Sequence, residues 1–269
     1  TIIVKELKSI AEKYGQPRKS IIIYDDVARY EEETVEIPDY PVNLFFTKEG
    51  YFKKITPQSL RMSGEQKLKD GDEIIQELEF TNNCDLLFFT DKCQVYKAKA
   101  DDFAQTKASV LGDYVAAKLG FDEGENAVKM VVTKDYKGML LFAFENGKAA
   151  KVPLESYATK TNRKKLTGAY SDKSPLVGLL YMPEDEEVLF KASSGNMLLV
   201  HTGALALKTT RSTQGVAVLK PKKGHRLFSI ERYKDGTFTN PKRYRTGSLP
   251  ARGALPVNDD SKDEQLSLI

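Results

Sequence analysis

Apolar and polar positions along the 269-residue chain change period near residue 41. Over residues 2–14, "IIVKELKSIAEKY", the apolar residues Ile3, Leu7, Ile10, Ala11 and Tyr14 recur at helical spacing and form one stripe. Gly15 supplies a C-terminal cap and Pro17 prevents continuation. The sequence is expected to be an excised fragment, because it opens inside this helix without a basic-then-apolar leader. Residues 19–40 read as a short β segment and an acidic connector. From about residue 41 to 245 the period becomes two, as in "AVKMVVT", where Val128, Met130 and Val132 alternate, and in "QELEF", where Leu78 and Phe80 do. Residues 246–269 read as loop and tail.

Within the β region one phrase recurs. "FFTKEGYFKK" (45–54) is an apolar strand, a polar step, a glycine and a returning strand that ends in lysine. It returns as "LFFTDKCQVYK" (87–97), "LFAFENGKAAK" (141–151) and "LFKASSGNMLLV" (189–200). The turn positions Gly50, Cys93, Gly147 and Gly195 lie 43, 54 and 48 residues apart, and Gly236 follows 41 residues later as the start of a partial fifth unit. A second feature, an acidic or glycine turn before an outgoing strand, recurs at "LKDGDEII" (68–75), "FDEGENAV" (121–128), "MPEDEEVLF" (182–190) and "KPKKGHRLF" (220–228). Each unit therefore holds about four strands in ~40–55 residues, the period of a propeller-type blade. Such blades bury their faces only by stacking, so the pattern predicts an all-β disc of five or so four-stranded blades. A β-sandwich is the alternative, although it does not require so long a period.

Composition narrows the function. The longest clean apolar run, "MLLFAF" (139–144), is far short of the ~20 residues of a membrane-spanning helix. Cys84 and Cys93 have neither CxxC spacing nor a neighbouring histidine and read as reduced thiols. The carboxylates Asp70, Asp72 and Glu73, and likewise Asp122, Glu123 and Glu125, lack the alternation of a calcium loop and sit with glycine, so they read as turn chemistry. His201 and His225 adjoin no metal-ligand pattern, and "ENGKAA" (145–150) is not a phosphate-binding loop. No catalytic or metal site is therefore assigned. The net charge is only +3, yet residues 208–252 carry twelve Lys or Arg against Glu231 and Asp235. Residues 253–269 are acidic, with Asp259, Asp260, Asp263 and Glu264 against Lys262. A basic end followed by a short acidic tail is a nucleic-acid-binding pattern, and equally that of a solvated surface.

The phrase "LFFTKEGYFKKI" (44–55), the "KLKDGDEII" turn (67–75) and their repetition resemble the C-terminal domain of the A subunit of bacterial type IIA topoisomerases, gyrase and topoisomerase IV. "VKELKSIAEKYGQPRKSIII" (4–23) resembles the helix and link that close the DNA cleavage core in those proteins. The resemblance implies a β-pinwheel of five or six blades over residues 41–245, preceded by the end of a core helix and an acidic linker (1–40) and followed by a loop and tail (246–269). It implies bending of duplex DNA around a basic rim, so that a segment is presented to the cleavage core of the same polypeptide. An ATPase subunit completes such an enzyme. ATP, magnesium and the catalytic tyrosine belong to other domains, which leaves this fragment without chemistry or a cofactor of its own. A bacterial cytoplasmic, nucleoid-associated location follows from the same resemblance.

The rim is expected to use Lys53, Lys54, Lys97, Lys148 and Lys151 from the returning strands. The loop cations Arg61, Arg163, Lys164, Lys165, Lys208, Arg211, Lys220, Lys222, Lys223 and Arg226 are expected to join them. The gyrase members of the family carry a first-blade box of Gln, two basics, two glycines, a basic and a glycine. Here "LRMSGEQKLKDGDE" (60–73) keeps Arg61, Gly64 and Lys67 but not the box, which favours bending with weak wrapping and a topoisomerase IV-like or divergent gyrase-like role. A propeller serving as a protein-interaction scaffold without DNA binding is the competing function.

Overall fold

The computed structural model describes residues 2–16, 37–159, 164–257 and 260. The chain divides into two compact units, residues 1–36 and 37–269. In the first, α1 (Ile2–Tyr14) forms as its periodicity predicts, and the Gly15 amide donates to the Ala11 carbonyl at 2.8 Å to close the last turn. The connector expected after it lies outside the described residues as far as residue 36.

The second unit is built from hairpins that interleave. β1 (Pro41–Thr47) and β2 (Tyr51–Ile55) form the first, followed by the short helix α2 (Pro57–Met62), and β3 (Ile74–Thr81) pairs on the far side of β1. The chain then makes the next hairpin, β4 (Asp85–Thr90) and β5 (Gln94–Lys99), before β6 (Asp113–Tyr114) returns to pair with β2. β7 (Ala127–Thr133) joins β4, and β8 (Met139–Phe144) with β9 (Lys148–Pro153) opens the third sheet. β10 (Lys165–Thr167) returns to β5, and β11 (Leu176–Met182) joins β8. β12 (Glu187–Ala192) and β13 (Met197–His201) form the last hairpin, β14 (Val216–Ala217) returns to β9, and β15 (Leu227–Arg232) joins β12. The result is four antiparallel sheets in a propeller-like, pinwheel-type fold. In each of the first three sheets the fourth strand is supplied by chain that has already visited the next sheet.

Among the described residues there are four blades, not five or six. The turn at Gly236 opens no hairpin. The chain beyond it serves the fourth blade instead: Ala254 forms an antiparallel bridge with Met197 of β13, in the position that a returning strand takes elsewhere. Ala251 bridges Leu219, and Phe238 and Tyr244 pack on Leu189 and Leu199. Counting chain that is used for exchange as a new unit therefore overestimates the number of blades.

The hairpin alignment itself holds. Gly50, Gly147 and Gly195 adopt left-handed backbone (φ 85°, 79° and 81°), and Cys93 does the same at φ 56° despite its side chain. The unbroken apolar runs of the central strands also follow from the architecture, since both faces of these strands are covered. Leu86 and Phe88 of β4 pack toward Leu44, Phe46 and Phe52 of the first sheet, while Leu87 and Phe89 pack toward Leu140 and Phe142 of the third. Leu141 and Ala143 meet Val188 and Phe190 of the fourth.

Phe88 is fully buried, with its ring centroid 5.7, 5.9 and 6.2 Å from those of Phe46, Phe52 and Phe103. Phe88→Ala is expected to cost ~3–5 kcal/mol through lost transfer energy and the cavity left behind. Urea unfolding should show a lower midpoint with an unchanged slope.

Candidate nucleic-acid interface

The lysines of the returning strands divide sharply. Lys53, Lys54 and Lys151 are 1%, 2% and 5% exposed, so burial removes them from the rim expected of them. Lys53 and Lys54 are consecutive on β2 and point to opposite faces. The Lys53 ammonium donates to Gln66 Oε1 at 3.1 Å and to the carbonyls of Lys67 at 2.7 Å and Ala108 at 3.2 Å. Lys54 donates to Asn82 Oδ1 at 2.6 Å and to the Ala100 carbonyl at 2.7 Å. Lys151 reaches Asp185 at 2.9 Å and the Thr202 carbonyl at 2.9 Å. Lys97 is half-buried, donates to Thr159 Oγ1 at 3.0 Å and lies 4.9 Å from the centre of the Tyr136 ring.

Lys54, Lys97 and Lys151 occupy one repeat position, four residues past the hairpin turn. Each reaches the short helical turn that follows the next blade's hairpin, or the chain just beyond it: Ala100–Asp102 for Lys54, Leu154–Tyr157 for Lys97 and Thr202–Ala204 for Lys151. The fourth blade carries Leu199 there, packed against Phe238 and Tyr244. These cations are inter-blade ties, and the alternation of the strands gave no sign of it. Burial pushes the amines of Lys53, Lys54 and Lys97 below their ordinary value.

The loop cations lie where they can meet a ligand. Arg61, Lys164, Lys220, Lys222, Lys223 and Arg226 are exposed, and Lys148, Lys208 and Arg211 are half-buried. Arg163 lies outside the described residues. Three are partly committed: Lys148 donates to Gln214 at 3.0 Å, Arg226 lies 3.6 Å from Glu145, and Lys165 is tied to Asp122 at 2.7 Å beside the Tyr96 ring. Lys164, Lys208, Lys220, Lys222 and Lys223 have no ion-pair partner among the described residues.

Arg211 heads a polar groove of about 550 Å³ between the outer edges of the second and third sheets. Its guanidinium donates to the Ser156 carbonyl at 3.3 Å and lies 5.9 Å from the Tyr157 ring centre, which fixes the fork while leaving other N–H groups for a ligand. Thr167, Thr209, Thr210 and Ser212 line the same groove. The sequence signal for these hydroxyl residues was present in "KTTRST" (208–213), where they flank the cation. At the corresponding place in the first blade, the Ala108 carbonyl is taken by the Lys67 amide at 2.8 Å and by Lys53 at 3.2 Å.

The acidic turns are occupied in hydrogen bonding. Asp72 accepts from the amides of Glu49 and Glu73, each at 2.9 Å. Buried Glu125 accepts from Tyr96 at 2.8 Å, from the Asp122 amide at 3.1 Å and from the Thr90 hydroxyl. His201 accepts the Gly203 amide at 3.2 Å. Cys84 and Cys93 are free thiols, and burial pushes the Cys84 thiol up to about 12, so it stays protonated at neutral pH.

No family model matches the chain. It is 25% identical to the A subunit of DNA gyrase from Metamycoplasma arthritidis over 280 residues, which is 96% of this chain and 31% of that protein. It is also 25% identical to the A subunit of DNA topoisomerase 4 from Staphylococcus aureus over 211 residues, 76% of this chain and 26% of that one. The chain thus spans about a third or less of these relatives. Its fold is shared with the crystal structure of the C-terminal domain of DNA topoisomerase IV, at a TM-score of 0.64 and 24% identity, covering 74% of this chain and 62% of that one. The chain is thus similar in sequence to A subunits of gyrase and topoisomerase IV, and it shares its fold with the C-terminal domain of topoisomerase IV.

Replacing Lys54 with Met leaves the Asn82 side-chain oxygen without its donor and the Ala100 carbonyl with only the Phe103 amide, at an expected cost of ~1–3 kcal/mol. Burial, the first cause, lowers the folded-state pKa below the reference 10.5. Between the folded value and 10.5 the unfolded chain therefore holds more protons, and stability rises with pH. The gap in thermal midpoint between the native chain and Lys54→Met should widen as pH approaches 10.5.

Proposed function

We propose that this domain binds duplex DNA without sequence preference, bends it along the outer edges of its sheets, and presents a segment to the cleavage core of a type IIA topoisomerase driven by a separate ATPase subunit. The observation that carries this reading is the set of unpaired cations, Lys164, Lys208, Lys220, Lys222 and Lys223, alongside the pre-positioned Arg211 guanidinium in its hydroxyl-lined groove. Cations spread over several outer loops suit a polyanion whose charges are regularly spaced, with phosphates positioned and no base edge read. Bending 20–30 bp by 40–90° costs on the order of 1–6 kcal/mol, so several phosphate contacts must act together to offset it.

Affinity for a random-sequence duplex is expected to fall ~10³–10⁵-fold between 50 and 200 mM salt if about 6–10 phosphates are contacted. Replacing Arg211, Lys220, Lys222 and Lys223 with Ala should weaken binding uniformly across sequences and flatten the logarithmic salt slope by ~2–4 units. Lys54→Met should leave the slope unchanged wherever the variant is folded. A salt-insensitive affinity, or no binding at low salt, would remove the DNA reading and leave a protein-interaction scaffold in its place.

The incomplete box at residues 60–73 supports bending with little wrapping, closer to a topoisomerase IV-like than to a gyrase-like contribution. Nicked circles ligated in the presence of the domain should then change linking number little per bound molecule. A consistent shift approaching one positive turn per molecule would return the domain to a gyrase-like role.

A further inference from the structure

The third strands of the four blades, β3, β7, β11 and β15, are the edge strands of their sheets, and side chains join β3 to β7 and β11 to β15. Gln76 on β3 exchanges two hydrogen bonds with the Met130 main chain on β7, at 2.7 and 2.8 Å. The Arg232 guanidinium on β15 donates to the Tyr181 carbonyl on β11. Gly178 on β11 lies so close to Ile230 that a Cβ there would fall 2.6 Å from its side chain. Two of the gaps between these strands are therefore closed by side chains. Between β7 and β11 a cleft of about 440 Å³ remains.

The walls of this cleft are mostly apolar: Val128 from β7, Leu176, Val177 and Leu180 from β11, and Ile230 from β15. Val128 and Val177 reach it because each is the extra residue of a β-bulge, which re-aims its side chain out of the sheet register. The polar side chains at the cleft are engaged, with one exception. The Tyr170 hydroxyl donates to the Thr90 carbonyl at 2.6 Å, and Asp91 accepts from the Asn126 amide and side chain, both at 3.0 Å. Lys129 also lines the cleft, and its ammonium has no hydrogen-bond or ion-pair partner among the described residues. Its amine is held below its ordinary value first by burial and then by the Arg232 charge. Arg232 is itself paired with Glu186 at 2.9 Å, and the nearby Glu231 with Lys191 at 2.9 Å, so neither carboxylate is left for Lys129.

We propose that this cleft binds a small amphipathic anion, a single carboxylate or sulfonate on an apolar body, with Lys129 as its counter-ion. The volume is within the range of small-molecule sites, and apolar walls with a few placed polar or charged groups, here Lys129 and the Asn126-bound Asp91 carboxylate, are their usual construction. An anion relieves the repulsion between Lys129 and Arg232, whereas a neutral apolar ligand leaves it in place. A polyanion does not fit, because one unpaired cation cannot repay the desolvation of several charges. The site is separate from the outer loops assigned to DNA and does not depend on that assignment.

Anilinonaphthalene sulfonate is a suitable probe, and uncharged phenylnaphthylamine is its neutral counterpart. Titrating the folded chain should give saturable one-site fluorescence with the sulfonate. Lys129→Gln should weaken the sulfonate about tenfold, close to 1.4 kcal/mol, while leaving phenylnaphthylamine unchanged. It should also raise the thermal midpoint, since it removes an uncompensated, partly buried charge. Val128→Glu places a carboxylate in the cleft at a residue that is 38% exposed, and it should abolish sulfonate binding without unfolding the chain. Lys222→Gln, at an exposed loop cation, should have no effect on the probe. The proposal is overturned if no saturable binding occurs, if Lys129→Gln and Val128→Glu both leave the sulfonate affinity unchanged, or if Lys222→Gln weakens it as much as Lys129→Gln does.

Discussion

A buried ammonium group joining one blade to the next is the constraint on which the rest of this fold depends. A lysine is costly to remove from water, and burial as complete as that of Lys54 and Lys151 requires that its donors be satisfied. Lys54 and Lys151 meet that condition with oxygens drawn from the neighbouring blade, and Lys97 does so partly, with a hydroxyl and an aromatic face. The backbone at the same positions receives the returning chain, since Thr106 donates to the Lys54 carbonyl and Lys208 to that of Lys151, both at 2.8 Å. Side chain and main chain thus fix the same junction from two directions.

Around those junctions the apolar packing is repetitive. Each central strand shows one set of side chains to the sheet before and the other set to the sheet after, so a single stretch such as "LLFF" (86–89) belongs to two cores. The outward face of the first sheet is covered by its own chain, where Phe45 and Ile55 meet Ala108 and Leu60. The outward face of the fourth is covered by Phe238 and Tyr244, and Asp260 is held against that cover by the Tyr244 hydroxyl at 2.6 Å. Interior blades share their cores, and the terminal ones close theirs with local segments.

Much of this was legible in the sequence. The hairpin phrase, its turn position and the apolar runs specified the repeating unit, because local backbone geometry and burial on both faces leave direct traces in residue type. The number of blades was not legible, since a strand of two or three residues lent to a neighbour, such as β6 or β14, carries too little pattern to be told from a loop. The role of the lysines was hidden for a related reason. A charged residue on a strand normally signals solvent, and only the three-dimensional partner reveals that Lys54 faces Asn82 rather than water. In retrospect Leu199 was the clue, because the repeat position loses its charge in the one hairpin that has no successor to hold.

The lending of strands has a consequence for how the chain can be made and altered. None of the first three sheets is encoded by one hairpin unit alone, so excising an interior unit would leave its predecessor without an edge strand and its successor without a place to send one. Gain or loss of a unit is least disruptive at the C-terminal end, where the loop through Ala254 already completes a sheet without a further hairpin. During synthesis from the N-terminus, each of the first three sheets stays unfinished until the following hairpin has emerged and the chain has doubled back. Assembly is thereby ordered in time, with each of the first three blades completed one step behind the ribosome.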